Sequence, residues 1–231
     1  MERVDVAIVG GGQAGLATSY ELSQRNVEHI VLERGRVGQT WRDRWDSFCL
    51  VTPNWTVQLP GGVYDGPDSD GFMTRAELAD YFERYARSIA APVREEIEVT
   101  AIQRADDGFV LDTSAGPLSG GQVVLATGAF QRQHRPPAAA GLPDNLQRLG
   151  VDQYRNEAQL APGSVLIVGS GQSGCQIAEE LHEAGRQVYL ACGRAPWLPR
   201  QIDGRDFTWW ALESGFLDVP VESLPDPRAR L

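Results

Sequence analysis

The sequence predicts an α/β fold built from two copies of one strand–turn–helix–strand unit, and three observations carry that expectation. A β-rich run at positions 4–9 ends in Gly10-Gly11-Gly12-Gln13-Ala14-Gly15. A second run at 165–168 ends in Gly169-Ser170-Gly171-Gln172-Ser173-Gly174. Each is followed by a helical apolar pattern and then by another β-rich run. One G-x-G-x-x-G arises easily by chance; two of them, each between a strand and a helix, make a specific pattern. Composition agrees with a globular chain, at 42% hydrophobic and 23% charged residues. A length of 231 residues fits one large domain or two small ones.

Taken in order, the first helix has Leu16, Tyr20 and Leu22 in its apolar set and Asn26 placed to end it, before a strand at 29–33. Residues 34–71 are rich in Trp, Asp, Pro and Gly and read as ordered loop. Trp41, Trp45 and Trp55 there are either core for a loop layer or the wall of a flat cofactor. Thr74-Arg75-Ala76-Glu77 is a capping box, and Leu78, Tyr81, Phe82, Tyr85 and Ile89 form a core-facing helical stripe behind it. Runs at 97–104, 109–113 and 122–125 are split by Asp106-Asp107-Gly108 and by 116–121, and read as a three-stranded meander. Ala126-Thr127-Gly128 follows at the carboxyl end of its last strand, where ligands bind in open α/β sheets. Residues 131–163, with Pro136, Pro137, Pro143 and Pro162, form the crossover to the second unit. Its helix carries Ile177, Ala178 and Leu181 on one face, is capped by Gly185, and leads to a strand at 187–191.

The glycine pattern has a chemical reading. The first Gly permits a tight turn, the second lets the backbone approach a pyrophosphate, and the third lets helix and strand pack closely. The helix amino terminus then offers free N–H groups to phosphate. Glu33 ends the second strand near the spacing of about 20 residues at which a carboxylate meets a ribose diol. In the second copy that place falls to Cys192, a small apolar residue expected to be buried, with Arg194 just beyond it. A carboxylate repels a 2′-phosphate and an arginine pairs with it, so the first site is expected to hold free ribose hydroxyls and the second NADP(H). The alternative for Arg194 is a solvated surface arginine.

Other chemistry is excluded by what is missing. All 21 basic residues are Arg, so no lysine Schiff base or P-loop lysine exists. Three His and three Cys are scattered singly, against a zinc cage or a C-x-x-C redox centre. A net charge of -10 disfavours nucleic acid and anionic membrane as partners. No run approaches a membrane span, and scattered cysteines without a secretory signal point to the cytoplasm.

In this order, the motifs resemble the flavin-dependent monooxygenases with two dinucleotide-binding domains, the flavin-containing and YUCCA-like group. The features that match are the two fingerprints, Glu33, Gly38-Gln39-Thr40-Trp41, Ala126-Thr127-Gly128, Tyr154-Arg155-Asn156 and the stretch from Pro196 to Arg200. The resemblance implies a Rossmann-like FAD-binding domain over 1–157, three-layered ββα with its β-meander, plus a partial Rossmann-like NADP-binding domain over 158–231. It implies that NADPH reduces FAD and that one oxygen of O2 passes to a nitrogen, sulfur or carbonyl centre of a small substrate. FAD would be held by Gly10, Gly12, Gln13, Ala14, Gly15, Glu33, Arg34, Gln39, Thr40, Trp41, Ala126, Thr127 and Gly128. NADPH would be held by Gly169, Ser170, Gly171, Gln172, Ser173, Gly174 and Arg194. Asn54 is a candidate active-site amide. The expected partners are the small substrate and O2, with no nucleic acid, no membrane, and a homodimer as the assembly.

Two features depart from the family. Its F-x-G-x-x-x-H marker would fall on Asp144, Leu146 and Gly150, where all three signature residues are absent. Its members also run on well past the equivalent of Leu231, so this chain reads as shortened at its carboxyl end. Two further readings therefore stand beside the monooxygenase: a non-catalytic dinucleotide-binding module, or an NADPH oxidase releasing peroxide. A pyridine-nucleotide–disulfide reductase shares both fingerprints but needs a dithiol that the spacing of Cys49, Cys175 and Cys192 does not supply.

Overall fold

A computed structural model describes residues 1–129, 133–193 and 198–223. The first unit runs from β1 (Glu2–Val9) through α1 (Gln13–Gln24) to β2 (His29–Leu32). Asn26 ends the helix in the left-handed region, at φ 54°, a conformation that asparagine tolerates. The stretch after β2 was expected to be loop, but it holds a short α2 (Gln39–Arg42), a 3-10 turn at Asn54–Thr56, and a hairpin of β3 (Gln58–Leu59) and β4 (Gly62–Val63). These elements are too short to carry a period, so their sequence shows only its turn residues.

α3 (Arg75–Ser88) starts as its capping box requires: Thr74 accepts from the Glu77 amide while the Glu77 carboxylate accepts from the Thr74 amide. The sheet then continues with β5 (Val93–Arg94), β6 (Val99–Ala105), β7 (Gly108–Thr113) and β8 (Leu118–Leu125). Its six strands lie in the order β5-β2-β1-β8-β7-β6, parallel from β5 to β8 and antiparallel through the meander. β5 has no counterpart among the sequence expectations, and β8 begins inside the glycine-rich stretch read as a break. The glycines belong there because β8 pairs with β1 and β7 at once. A Cβ on Gly121 would lie 3.0 Å from the Asp5 carbonyl oxygen.

Side-chain alternation along the strands makes three layers. Ala7, Val9, Ile30 and Leu32 pack against Leu111 and Phe109 of the meander. Val6, Ile8 and Val31 face the other way, towards Leu22 and Val27 around α1. Leu16 of α1 joins Trp45, Phe48, Leu78, Tyr81, Phe82 and Tyr85 in the largest core cluster. Each fully buried side chain of this size contributes about 1.5–3 kcal/mol.

The second unit repeats the first in β9 (Val165–Val168), α4 (Gln172–Glu183) and β10 (Val188–Ala191), the strands parallel. Leu181 and Ile177 of α4 pack into the same cluster as α3, which makes the core continuous between the units. A hairpin of β11 (Gln201–Ile202) and β12 (Arg205–Asp206), the helix α5 (Phe207–Glu213) and a 3-10 turn at Val221–Ser223 follow. Asp203 and Gly204, at φ 48° and 72°, provide the hairpin's turn.

Candidate dinucleotide sites

The two glycine loops have the same backbone. Gly10 and Gly169 both sit at φ 112°, which favours glycine. A Cβ on Gly15 would lie 1.9 Å from the Gly10 carbonyl oxygen, and one on Gly174 would lie 2.0 Å from that of Gly169. Those four glycines are therefore needed by the fold. Gly12 and Gly171 differ: a Cβ on either meets nothing within 4 Å. Each is the N-cap of its helix with no side chain capping it, so the first helical amides face open space. This is the cradle a phosphate needs.

Glu33 lies at the first loop. One carboxylate oxygen accepts from the Gly11 amide at 2.7 Å and the other from the Gly35 amide at 2.9 Å. Each oxygen keeps a further lone pair for a hydroxyl. Gly11, Gly12 and Glu33 line a cleft together with Gly38, Gln39, Thr40 and Trp41. Arg36 and Phe82 also line it, and neither stands out in the sequence. Phe82 reads there as part of the core stripe of α3, and it serves both purposes. Arg34 is exposed and outside the lining, whereas Arg36 donates to Glu83 at 3.1 Å, a carboxylate shared with Arg42 at 2.5 Å. Gln13 and Ala14 open α1, and Gln39 donates to Asp43 at 2.8 Å.

Trp41 answers both readings of the loop tryptophans. It stacks on Phe82, ring centroids 6.2 Å apart and planes at 14°, and it lies 5.7 Å from Phe48, yet part of it lines the cleft. Arg44 packs over Trp41 and Phe48 at 5.7 and 5.8 Å. Trp45 is wholly core. Asn54 is buried with both amide ends occupied: it donates to the Asp68 carbonyl at 2.9 Å and accepts from the Met73 amide at 2.7 Å. These two bonds make it an organiser of that loop.

Ala126-Thr127-Gly128 follows β8 beside the first loop. The Ala126 amide donates to Val9 at 2.8 Å, and its carbonyl oxygen would lie 2.3 Å from a Cβ on Gly10. Gly169 has no such neighbour within 4 Å among the described residues, and no third strand lies beside β9 there. Ser170, Gln172 and Ser173 complete the second loop. At the end of β10 stands Cys192, exposed rather than buried as expected. Arg194 and Pro196 lie outside the described residues.

The Tyr154-Arg155-Asn156 turn ties the two loops' surroundings together. Buried Tyr154 donates to Glu180 of α4 at 2.7 Å, and Ser47 donates to the other oxygen of Glu180 at 2.6 Å. Burial and the Glu180 charge push the Tyr154 hydroxyl well above its ordinary pKa. Gln176 of α4 donates to the Cys49 carbonyl at 3.1 Å, and Asn156 donates to Asp46 at 2.6 Å. Burial also raises the Cys49 thiol. No helix among the described residues is long and apolar enough to cross a membrane.

Comparison with known proteins agrees with this anatomy. A CzcO-like oxidoreductase of Geobacillus kaustophilus, itself uncharacterised, is 42% identical over 222 residues, covering 95% of this chain and 63% of its own length. A rice indole-3-pyruvate monooxygenase, YUCCA4, is 27% identical over 259 residues, covering 95% of this chain and 59% of its own. The solved structure of a flavin monooxygenase from Stenotrophomonas maltophilia superposes with a TM-score of 0.72 at 28% identity, covering 89% of this chain and 62% of that one. The chain thus spans under two thirds of the length of these relatives. The family model described as pyridine nucleotide-disulphide oxidoreductase matches residues 7–206, and the chain belongs to that oxidoreductase family, with flavin monooxygenases among its relatives.

Proposed function

We propose that the chain is an FAD- and NADPH-dependent oxidoreductase of the monooxygenase kind, acting with O2 on a small nitrogen-, sulfur- or carbonyl-containing substrate. One observation carries the reading: Gly12 and Gly171 have ordinary backbone angles, φ -87° and -74°, and an added Cβ on either meets nothing within 4 Å, so neither the turn nor the packing of the described residues asks for glycine there. That open cradle, beside a carboxylate with spare lone pairs, fits FAD in the first copy. The second copy has no carboxylate at the corresponding place, which fits NADPH, with Arg194 proposed for the 2′-phosphate. The division into 1–157 and 158–231 follows from these assignments.

The bound flavin supplies the electron transfer from NADPH to O2 and the delivery of one oxygen atom. The protein's part is to bind and to shield. The amides around Gly12 and the α1 terminus hold the pyrophosphate, Glu33 accepts from the adenosine ribose, and Trp41 and Phe82 keep water from the cleft wall. Disulfide reduction is disfavoured because no two of Cys49, Cys175 and Cys192 stand at C-x-x-C spacing. The scattered cysteines suit a cytoplasmic enzyme, and a homodimer is the assembly we expect.

A visible spectrum tests the reading. The protein titrated with FAD should acquire flavin absorbance that bleaches on adding NADPH without oxygen. In air, an amine or thioether should be oxygenated with NADPH consumption. Peroxide alone would favour the oxidase alternative, and failure to bind FAD would sink the enzyme reading.

A further inference from the structure

The segment from Glu33 to Trp41 supplies most of the residues lining the first cleft, and its main chain is tied at Glu33, Gly35 and Val37 to one neighbour. The Glu33 amide donates to the Arg94 carbonyl at 3.0 Å, and the Ile97 amide donates back to Glu33 at 2.9 Å. The Glu96 amide donates to Gly35 at 2.9 Å. The last tie is a side chain: a Glu95 carboxylate oxygen accepts from the Val37 amide at 2.8 Å. Val37 is buried, so without Glu95 its amide is a desolvated donor. Glu96 holds a left-handed φ of 59°, which an L-residue adopts only under constraint, and this turns the backbone so that residues on both sides of it reach the wall. The far end is anchored too, by the ion pair of Arg94 with Glu2.

We propose that Glu95 is a positioning residue for the dinucleotide in this cleft, acting through Val37 to set Gly38 and the Gln39–Trp41 turn before any ligand arrives. The proposal rests on the reading of this cleft as the FAD site. Val37 precedes Gly38, the N-cap of α2, and that turn supplies the cleft's Gln39, Thr40 and Trp41. A carboxylate is a poor neighbour for a diphosphate on charge alone. Its value here is therefore the hydrogen bond it accepts, and a neutral acceptor of the same shape should serve as well. Fixing the wall in advance lowers the ordering cost of binding.

Two variants separate the hydrogen bond from the charge. Amide hydrogen exchange is measured on the apoprotein, and FAD affinity is measured by quenching of flavin fluorescence. In Glu95→Ala, the peptide covering 35–41 should exchange at least about tenfold faster while β1 is unchanged, and the Kd for FAD should rise about tenfold. Glu95→Gln keeps the acceptor oxygen and should restore both to within about twofold of wild type. Wild-type exchange in Glu95→Ala, or an unchanged Kd, overturns the proposal, as does a Glu95→Gln variant no better than alanine. If the wild-type protein itself does not bind FAD, the cofactor assignment falls and the proposal with it, a result recognisable by its appearing before any substitution.

Discussion

A Cβ placed on Gly15 would lie 1.9 Å from the Gly10 carbonyl oxygen, whereas one placed on Gly12 would touch nothing within 4 Å. Two glycines of one motif therefore have opposite sensitivities. Gly15→Ala forces the turn and helix apart and is expected to lower stability by more than about 2 kcal/mol. Gly12 has an ordinary backbone, φ -87°, so Gly12→Ala should leave apoprotein melting within about 0.5 kcal/mol of wild type. The same methyl would stand where we propose the pyrophosphate approaches, and the Kd for FAD should rise at least about tenfold, near 1.4 kcal/mol. Melting of the apoprotein with a flavin titration checks both, and wild-type affinity in Gly12→Ala would remove Gly12 from the phosphate site. The glycines were legible in the sequence because their spacing alone carries the geometry. Arg36 and Phe82 were not: nothing local marks them, and only the packing of α3 against the turn after Val37 brings them to the cleft.

Among the elements, α3 shows how a helix becomes readable before its structure is known. Its capping box and its stripe of Leu78, Tyr81, Phe82 and Tyr85 agree on one start and one buried face. Thr74→Ala should cost about 1 kcal/mol through the lost cap. Hydrogen bonds from the Thr74 backbone and side chain hold the Glu77 carboxyl below the usual carboxylate range. Its folded pKa is thus below its unfolded one, so its contribution is complete above the ordinary carboxylate pKa and disappears as pH falls through the lowered value. Urea melts of Glu77→Gln against wild type should accordingly differ at pH 7 and converge as the pH falls below the ordinary carboxylate range. A gap that persists in acid would show that the carboxylate charge is not what stabilises the cap. β5 and the pieces between 34 and 71 were hidden for the opposite reason. Two paired residues such as Val93 and Arg94 have no period to read, and their place comes from ladder bonds to β2 and the bonds beyond it.

At the scale of the whole molecule, the repeat was legible but the way its copies meet was not. Sequence comparison aligns Gly10 with Gly169 and is silent on Glu180, an ordinary helical glutamate until Tyr154 and Ser47 both donate to it. Under the function we propose, that junction would set the spacing of the two cofactors, and a shift of about 1 Å in reacting groups can cost about a hundredfold in rate. Glu180→Ala leaves the Tyr154 hydroxyl buried without its acceptor, at a cost of about 1–3 kcal/mol. Both glycine loops lie away from it, so FAD and NADPH should each bind within about twofold of wild type, and bleaching of the bound flavin by NADPH without oxygen should slow at least about tenfold. Gly171→Ala should do the reverse, weakening NADPH at least about tenfold while leaving the Kd for FAD unchanged. Stopped-flow absorbance across a range of NADPH concentrations separates the two, because one variant lowers the limiting rate and the other raises the concentration needed to reach it. If Glu180→Ala bleached at the wild-type rate, the docking of α4 on residues 46–49 would stabilise the chain without aligning its two sites.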